Sequence, residues 1–562
     1  MPFRIAQKFL KAILSLVLVG AMVSATACQR ERAPQILSRS QNETRPNVLI
    51  FVVDALGHEL SPYGDKTVPT PNIDRLAREG VTYTNAYAAS GSHGAAWASL
   101  ITGVHPQTLG VVQDWTDGRG WTVAPQPEVK AFPELLRQKG WHTFRVGPSS
   151  DPFGGVGGLW DLNERSFEAA WPEADIPQPF LGVVEVSTLP PEEASATKPQ
   201  KKGFLEGLFQ KEEKAPAPPA IDAAKLAVPP YLPDTPALRQ AMKARYERIA
   251  AIDAQIGEAI ARLEKAGALD DTVIILTART GPPWPRGERT LYDSGVRVPL
   301  IVRHPDGRAK GTTSRALFSG VDLAPSVLKL VGMQPMAWMH GRDRLSAKPE
   351  APWPFVFSIQ NRVGAVFERA RAVRDGRYLF IRNESPETRL FDLARRGAFY
   401  DAVAGQGGTP SLGPNQTTPR AEVELYDIVA DPHQLKNLAA DAGRLSEVQR
   451  MAAALSAFRS VTPDLSTSTT QELRDRYRPA GVTPVTAPPL LRLVRGRVTM
   501  EALTPGSSIQ WREDEKKPWK LYRGPVAPPK NGKLEARATR YGFIDSPVQM
   551  FDAKKNGVTT KK

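Results

Sequence analysis

The sequence predicts an α/β protein: a mostly parallel sheet with helices on both faces, then an α+β C-terminal subdomain and a small all-β module at the C-terminus. Three observations lead there. Apolar, β-branched runs such as NVLIFVVDA, DDTVIILTA and VPLIVRHP lack the alternation of a half-exposed strand, which suits parallel strands covered on both faces. Helix-length segments alternate with these runs, as a parallel sheet requires. Beyond residue 350 the pattern changes to hairpins, and the last hundred residues become short strands separated by Pro and Gly.

In chain order, NVLIFVVDALG reads as a strand ending at Asp54. TPNIDRLAREG follows as a helix, with Thr70 as N-cap, Pro71 at its first position and Gly80 past its end. VTYTNAY is the next strand. SGSHGAAWASLITG, residues 90–103, has the cadence of a loop entering a helix, with Gly103 as the stop. ELLRQKGWHTFRVG gives a helix, Gly140 and a strand. Thr235 and Pro236 open the strongest helix, residues 237–266, where Ile249, Ile252, Ile256, Ile260 and Leu263 recur at helical spacing before Gly267. AVRDGRYLFI places an Asp-Gly turn between strands, and GRLSEVQRMAAALSAF supplies a further helix. In such a sheet ligands bind at the carboxyl ends of the strands, so Asp54, the loop before Trp97 and the segment after Leu276 should converge.

A length of 562 residues implies more than one domain. Residues 1–27 carry Arg4, Lys8 and Lys11, the apolar run AILSLVLVGAMV and then SATA before Cys28: a secretory signal, too short to be a stable span. Ordinary cleavage after Ala27 and a lipobox that makes Cys28 an acylated N-terminus both fit the junction. Because Cys28 is the single cysteine, the lipoprotein reading is adopted, placing the chain in the bacterial periplasm or outer membrane. Residues 28–45 form a linker, 46–350 the α/β domain with a flexible insertion at 190–233, 351–462 the α+β subdomain, 463–550 a β-sandwich module and 551–562 a basic tail. The insertion is rich in Pro, Lys, Glu and Ala and cannot bury enough apolar surface to fold alone. A net charge of +14 fits an anionic glycan or lipid surface as partner, or plain solubility. No basic helix with interleaved aromatics and no zinc-like Cys/His spacing occurs, which argues against nucleic acid.

RPNVLIFVVDALG, TPNIDRLAREGVTYTNAYAAS, LITG, VPPYLPDTPALR, RTLYDSGVRVPLIVRHP and ELYDIVADPHQLKNLA stand in order over about residues 46–460. Together they resemble the sulfatase family of the alkaline-phosphatase-like superfamily, and VPPYLPDTP resembles its bacterial heparan N-sulfatase-like branch. The tail from TPGSSIQWRED to RYGFIDS resembles a chitobiase-type β-sandwich. The resemblance implies a cysteine oxidised to formylglycine, a calcium ion held by carboxylates, and Lys and His groups that stabilise charge and protonate the leaving group. Each role can be checked by position. His93 stands where the formylglycine precursor would be, and Trp97 where its arginine would be. The first-strand acidic pair is Asp54-Ala55. The second metal loop reads Arg279-Thr280-Gly281, a Gly-Lys-Trp-His signature reads Gly147-Pro148-Ser149-Ser150, the central-strand His is Ser187, and the Lys before TLYDSG is Glu288.

These replacements predict a pseudosulfatase that binds a sulfated or other anionic glycan, with no catalytic residue, no metal, and neither calcium nor formylglycine in use. Asp54, His93, Trp97, Arg279, Thr280 and Glu288 are then vestigial positions. Arg279 is predicted to fill the metal void and hydrogen-bond Asp54, because an unpaired buried charge is costly. His93, Arg279 and Arg289 form a candidate anion pocket at a helix N-terminus. The alternative is a divergent sulfuric- or phosphoric-ester hydrolase with His93 as covalent nucleophile, for which no second acid or base is evident at matching positions. His58 and His105 lie outside the family's positions. Trp511 and Trp519 could form a sugar platform, although alternating strands normally bury such residues.

Overall fold

A computed structural model describes residues 45–111, 123–147, 153–154, 158–164, 177–188, 221–363, 366–387, 399, 402, 419–529, 532–552, 554–555 and 557–560. Residues 45–562 cluster as one compact unit. The signal segment, Cys28, Pro148, Ser149, Ser150 and residues 189–220 lie outside the described residues.

The strands of the first part are β1 (Asn47–Ala55), β2 (Val81–Tyr83), β3 (Ala86–Tyr87), β4 (His142–Val146), β5 (Leu162–Glu164), β6 (Phe180–Val186), β7 (Thr272–Thr280), β8 (Leu300–Arg303), β9 (Thr312–Ser314) and β10 (Phe318–Ser319). Eight of them form one sheet in the order β5-β4-β6-β1-β7-β8-β2-β9. β1 lies at its centre, parallel to both β6 and β7, while β8 runs antiparallel to β7. Every side chain of β6 and β7 is buried, which accounts for the unbroken apolar runs. Helices α1 (Pro71–Glu79), α2 (His93–Thr102), α3 (Phe132–Gln138), α4 (Pro236–Lys265) and α5 (Leu323–Leu330) accompany the sheet. The Thr235 hydroxyl accepts from Leu238 N at 3.2 Å and caps α4, as its place before Pro236 suggests. Asp253, midway along α4, accepts from Ile73 N at 2.8 Å and from the Asn72 amide at 2.9 Å, tying the start of α1 to its neighbour.

β11 (Val356–Val363), β12 (Val366–Arg374), β13 (Tyr378–Asn383) and β14 (Val423–Asp427) make an antiparallel sheet. Helix α6 (Leu445–Val461) lays Met451 and Leu455 on its Val373, Phe380 and Leu425. At the C-terminus the hairpin β15 (Leu490–Val494) and β16 (Arg497–Glu501) faces a five-stranded sheet. That sheet is β18-β17-β19-β20-β21, built from β17 (Ser508–Arg512), β18 (Lys520–Leu521), β19 (Lys533–Thr539), β20 (Gln549–Asp552) and β21 (Gly557–Thr560). Leu491, Val498 and Met500 from the hairpin share a core with Ile509, Leu534, Ala536 and Phe551. The module docks on α3 through polar groups. Lys130 Nζ reaches Glu134 at 2.9 Å and the Gly506 carbonyl at 2.8 Å, and the hydroxyls of Ser508 and Tyr541 donate to the Glu134 carboxylate.

Three predicted boundaries change. Residues 221–233, assigned to the flexible insertion, are packed: Ile221, Leu226, Tyr231 and Leu232 are buried, and Arg239 Nη1 donates to the carbonyls of Ala223, Ala224 and Leu226. Residues 463–481 carry short helical segments, including α7 (Thr470–Tyr477) with a Thr469/Glu472 capping box, so the strands of the β-module begin at Leu490. The basic tail contributes β21, an antiparallel edge strand on β20. Among the described residues no helix is long and apolar enough to cross a membrane.

Candidate functional site

The carboxyl ends of β1, β6 and β7 lie side by side, and α2 packs over β7. Asp54, at the end of β1, is satisfied by neutral donors. Its carboxylate accepts from the Ser187 hydroxyl at 2.6 Å, from Thr188 N and Oγ1 at 2.8 Å each, and from Ala55 N at 2.7 Å. Thr280 Oγ1 donates to the Asp54 carbonyl at 3.3 Å. Asp54 thus straps β1 to the segment leaving β6.

Arg279 does not pair with Asp54, contrary to expectation. Its Nη2 lies 2.7 Å from Oε2 of Glu185 on β6, whose Oε1 lies 2.9 Å from Arg145 Nε on β4. Arg279 is 5% exposed and Glu185 7%, so the three charges share a dry site. The Arg279 guanidinium carbon stands 4.8 Å from the centre of the Trp97 ring, which is 1% exposed. The physical reason for the different partner is strand register. Glu185 sits inside a buried strand and needs a cation, whereas Asp54 already has four donors.

His93 opens α2, and its Nε2 lies 2.7 Å from Oε2 of Glu288; the two side chains are 24% and 1% exposed. The expectation of no partnering acid or base beside His93 is therefore corrected. Two loops bring this about. Arg289 N donates to the Gly91 carbonyl at 2.7 Å, and a Cβ on Gly91 would stand 2.6 Å from the Thr290 carbonyl, so only glycine permits the approach. Arg286 and Arg289 both adopt left-handed backbone conformations, at φ 68° and 67°, a strain that surrounding contacts must hold. Thr290 Oγ1 donates to the Arg286 and Gly287 carbonyls, and Arg286 stacks on Tyr292 at 4.0 Å. From the C-terminal subdomain, the Gln360 amide donates to Ser92 Oγ at 3.0 Å, steadying the residue before His93.

The predicted residues thus gather as two groups, Trp97 with Arg279 and His93 with Glu288, with Asp54 and Thr280 bonded to each other beside them. Arg289 joins the second group through its backbone. Glu185, Arg145 and Gln360 were missed. A signal existed for Glu185 and Arg145: each is a charge inside an otherwise apolar strand run. His58 stacks on Tyr63 at 4.0 Å, and burial, with Arg297 nearby, pushes its pKa down to about 3. The guanidinia of Arg512 and Arg537 both stand against the Trp519 ring, at 4.4 and 4.5 Å, and Trp511 packs on the small β-core.

A layered α/β fold with its site at the strand ends, under a helix N-terminus, defines the class, and comparisons with known proteins agree. The Sulfatase family matches residues 46–156 and 183–333, and the N-sulphoglucosamine sulphohydrolase C-terminal family matches residues 286–396. The chain carries a sulfatase-family domain. It is 28% identical to an ulvan-active sulfatase of Formosa agariphila, across 96% of this chain and 97% of that protein. It is 27% identical to human N-sulphoglucosamine sulphohydrolase, across 70% and 86%. Among solved structures, a 2-O GAG sulfatase superposes with a TM-score of 0.56 at 18% identity, covering 77% of this chain and 96% of that one.

The expectation that calcium and formylglycine play no part is corrected by these relatives, which are named sulfatases, proteins that normally use formylglycine and a metal. The residues present do not fit them in the family's manner. His93 carries an imidazole, Asp54 is taken up by Ser187 and Thr188, and the cation Arg279 sits where a metal-binding side chain would. Among the described residues no group of three or more His, Cys, Asp or Glu is placed to hold a metal.

Proposed function

We propose that this sulfatase-family protein binds a sulfated, anionic glycan at the cell envelope and does not hydrolyse its sulfate esters. The observation that carries the reading is the partly exposed His93 at the N-terminus of α2, beside the Arg289 loop. Behind it the buried Arg145–Glu185–Arg279 cluster sets two guanidinia against one carboxylate, which makes the local potential positive. The N-terminus of α2 and the Arg289 loop add to the same sign of potential. Relatives named for ulvan and for N-sulphoglucosamine support a sulfated sugar as ligand. Export and lipid attachment at Cys28 belong to this reading and rest on the sequence of residues 1–28.

Calorimetry with sulfated and desulfated oligosaccharides of ulvan and heparan type tests the proposal, run beside assays of sulfate release. Binding that requires the sulfate, weakens in Arg289→Ala and releases no sulfate supports it. Sulfate release by the wild-type chain, abolished in His93→Ala, would replace it with a hydrolase.

A further inference from the structure

The positive charge of the chain is not spread evenly. Residues 46–489 hold 50 Lys and Arg against 50 Asp and Glu, so that part of the chain is neutral. Residues 490–562 hold 16 against 7. A surplus confined to one module points to an anionic partner for that module. We infer that the C-terminal β-module and the turn beside it form a second binding surface, which holds an extended sulfated polysaccharide along a strip of six cations. These are Arg492, Arg495, Arg497, Arg523, Lys139 and Arg45. The sulfated class of the ligand rests on the reading above, whereas the surface itself uses none of the residues around His93.

Contacts trace the strip step by step. Across the hairpin Arg492 pairs with Thr499 and Val494 with Arg497, so these side chains share one face, while Leu491, Val498 and Met500 fill the core on the other. Arg495 and Gly496 make the two-residue turn, both left-handed, at φ 48° and 72°. Such a turn favours Asn or Gly at its first position, so an arginine there puts a cation on the tip at a conformational cost. Beyond β16, Val498 and Val526 exchange backbone hydrogen bonds at 2.8 and 3.0 Å, and Arg497 Nη1 donates to the Pro525 carbonyl at 3.1 Å. Arg523 precedes that segment, and a Cβ on Gly140 would stand 3.7 Å from its Nη1. The strip thus crosses to the turn between α3 and β4, where Arg45 Nη1 donates to the Lys139 carbonyl at 3.5 Å.

All six residues are exposed, and among the described residues none of them forms an ion pair. Elsewhere in the module cations are matched: Arg512 by Glu535 at 2.5 Å, Arg537 by Asp545 at 3.3 Å and Lys520 by Glu513 at 3.0 Å. Glu501 is the one carboxylate of the hairpin and stands at its far end, opposite Leu490. A row of unmatched cations on paired backbone fits a long anionic chain, each sulfate of which a guanidinium can meet with two N–H groups. A bilayer would also take up apolar side chains. Val494 is the one large apolar side chain exposed on the hairpin, and the exposed Val485 and Ile544 belong to a separate bridged segment.

Heparin, as the sulfated polymer, is titrated into the full chain at several salt concentrations, beside heparin disaccharide and vesicles of anionic phosphatidylglycerol. The variant Arg492→Ser/Arg495→Asn/Arg497→Ser removes three cations from the strip, and Asn suits the turn, so it should melt with the wild type. Its affinity for heparin should fall about 10-fold, with a shallower dependence on salt because fewer counterions are released. The disaccharide, too short to follow the strip, should bind both proteins alike. Lys517→Ser/Lys554→Ser/Lys555→Ser removes the same net charge from other loops and should weaken heparin binding distinctly less. The inference is overturned if the hairpin variant binds heparin as the wild type does, if the lysine variant loses as much, or if the loss occurs on the vesicles and not on heparin. Arg289→Ala separates the two readings. Heparin binding lost there but kept in the hairpin variant supports the His93 site and overturns the strip, and the reverse supports the strip alone.

Discussion

Glu185→Gln is the sharpest perturbation the site offers, because it removes one charge and almost no volume. In the wild type each oxygen of Glu185 serves a different guanidinium, Arg145 at 2.9 Å and Arg279 at 2.7 Å. Arg145 is fully buried and Arg279 nearly so, so neither can turn to water when the carboxylate becomes an amide. Removing one partner of a buried ion pair costs roughly 3–5 kcal/mol, chiefly through the uncompensated charge left behind. Here two like charges remain, which places the expectation at the upper end of that range. Arg279→Gln alone leaves Glu185 still paired with Arg145 and should cost less. In the double variant only one guanidinium is left without its carboxylate, so the cost should fall short of the sum of the singles by about 1–3 kcal/mol. Thermal and urea melts of the four proteins give the cycle. A Glu185→Gln protein that melts with the wild type, or strictly additive costs, would refute the idea that this cluster is a coupled charge unit.

Trp97→Ala should destabilise by about 3–5 kcal/mol, as loss of a buried aromatic does, and Trp97→Phe by distinctly less; melting curves compare them. Burial, with His340 beside it, pushes the pKa of His105 down to about 3, so the folded chain holds it neutral while the unfolded chain takes up a proton below 6.5. The unfolded state binds more protons in that window, so His105 should remove about 1.4 kcal/mol of stability per pH unit as pH falls from 6.5 towards 3. Denaturant melts from pH 7 to 5 should show a shallower slope in His105→Gln. Glu134→Gln removes the carboxylate that holds Lys130, Ser508 and Tyr541, at a cost of about 1–3 kcal/mol. Hydrogen exchange should then quicken in β17 and β19 before it does in β1, and uniform protection would count against a docking role.

The fold was legible wherever one physical rule dominated. β1 and β7 are buried on both faces, so composition alone marks them, and the isoleucine repeat of α4 lines one face. The module boundaries were harder. Residues 221–233 share the Pro- and Ala-rich character of the segment before them, yet Arg239 collects three of their carbonyls, a long-range contact that composition does not encode. The site was half legible. Which residues occupy it followed from motif order, but the partners did not, because pairing depends on register between strands distant in sequence. Arg279 was assigned to Asp54, whereas the carboxylate beside it is Glu185, on the strand next to that of Asp54 and paired with Arg145 as well. Glu288 was read only as a lost lysine, although its change of sign is what allows it to hold His93.

That change of sign points to how the site holds together as a set. A lone arginine in place of a metal-binding side chain would be a buried charge without a partner, and a lone glutamate in place of a lysine would be another. Neither stands alone. Arg279 is matched by Glu185 and seated on Trp97, and Glu288 is matched by His93. Each of Arg279, Trp97, His93 and Glu288 therefore contacts another of the four or a charge on a neighbouring strand. A site decaying at random would accumulate orphaned charges and cavities, and its residues would couple weakly. Compensated pairs, by contrast, keep the strand ends and the start of α2 in register. That register is the precondition for any ligand to meet His93 and the Arg289 loop together.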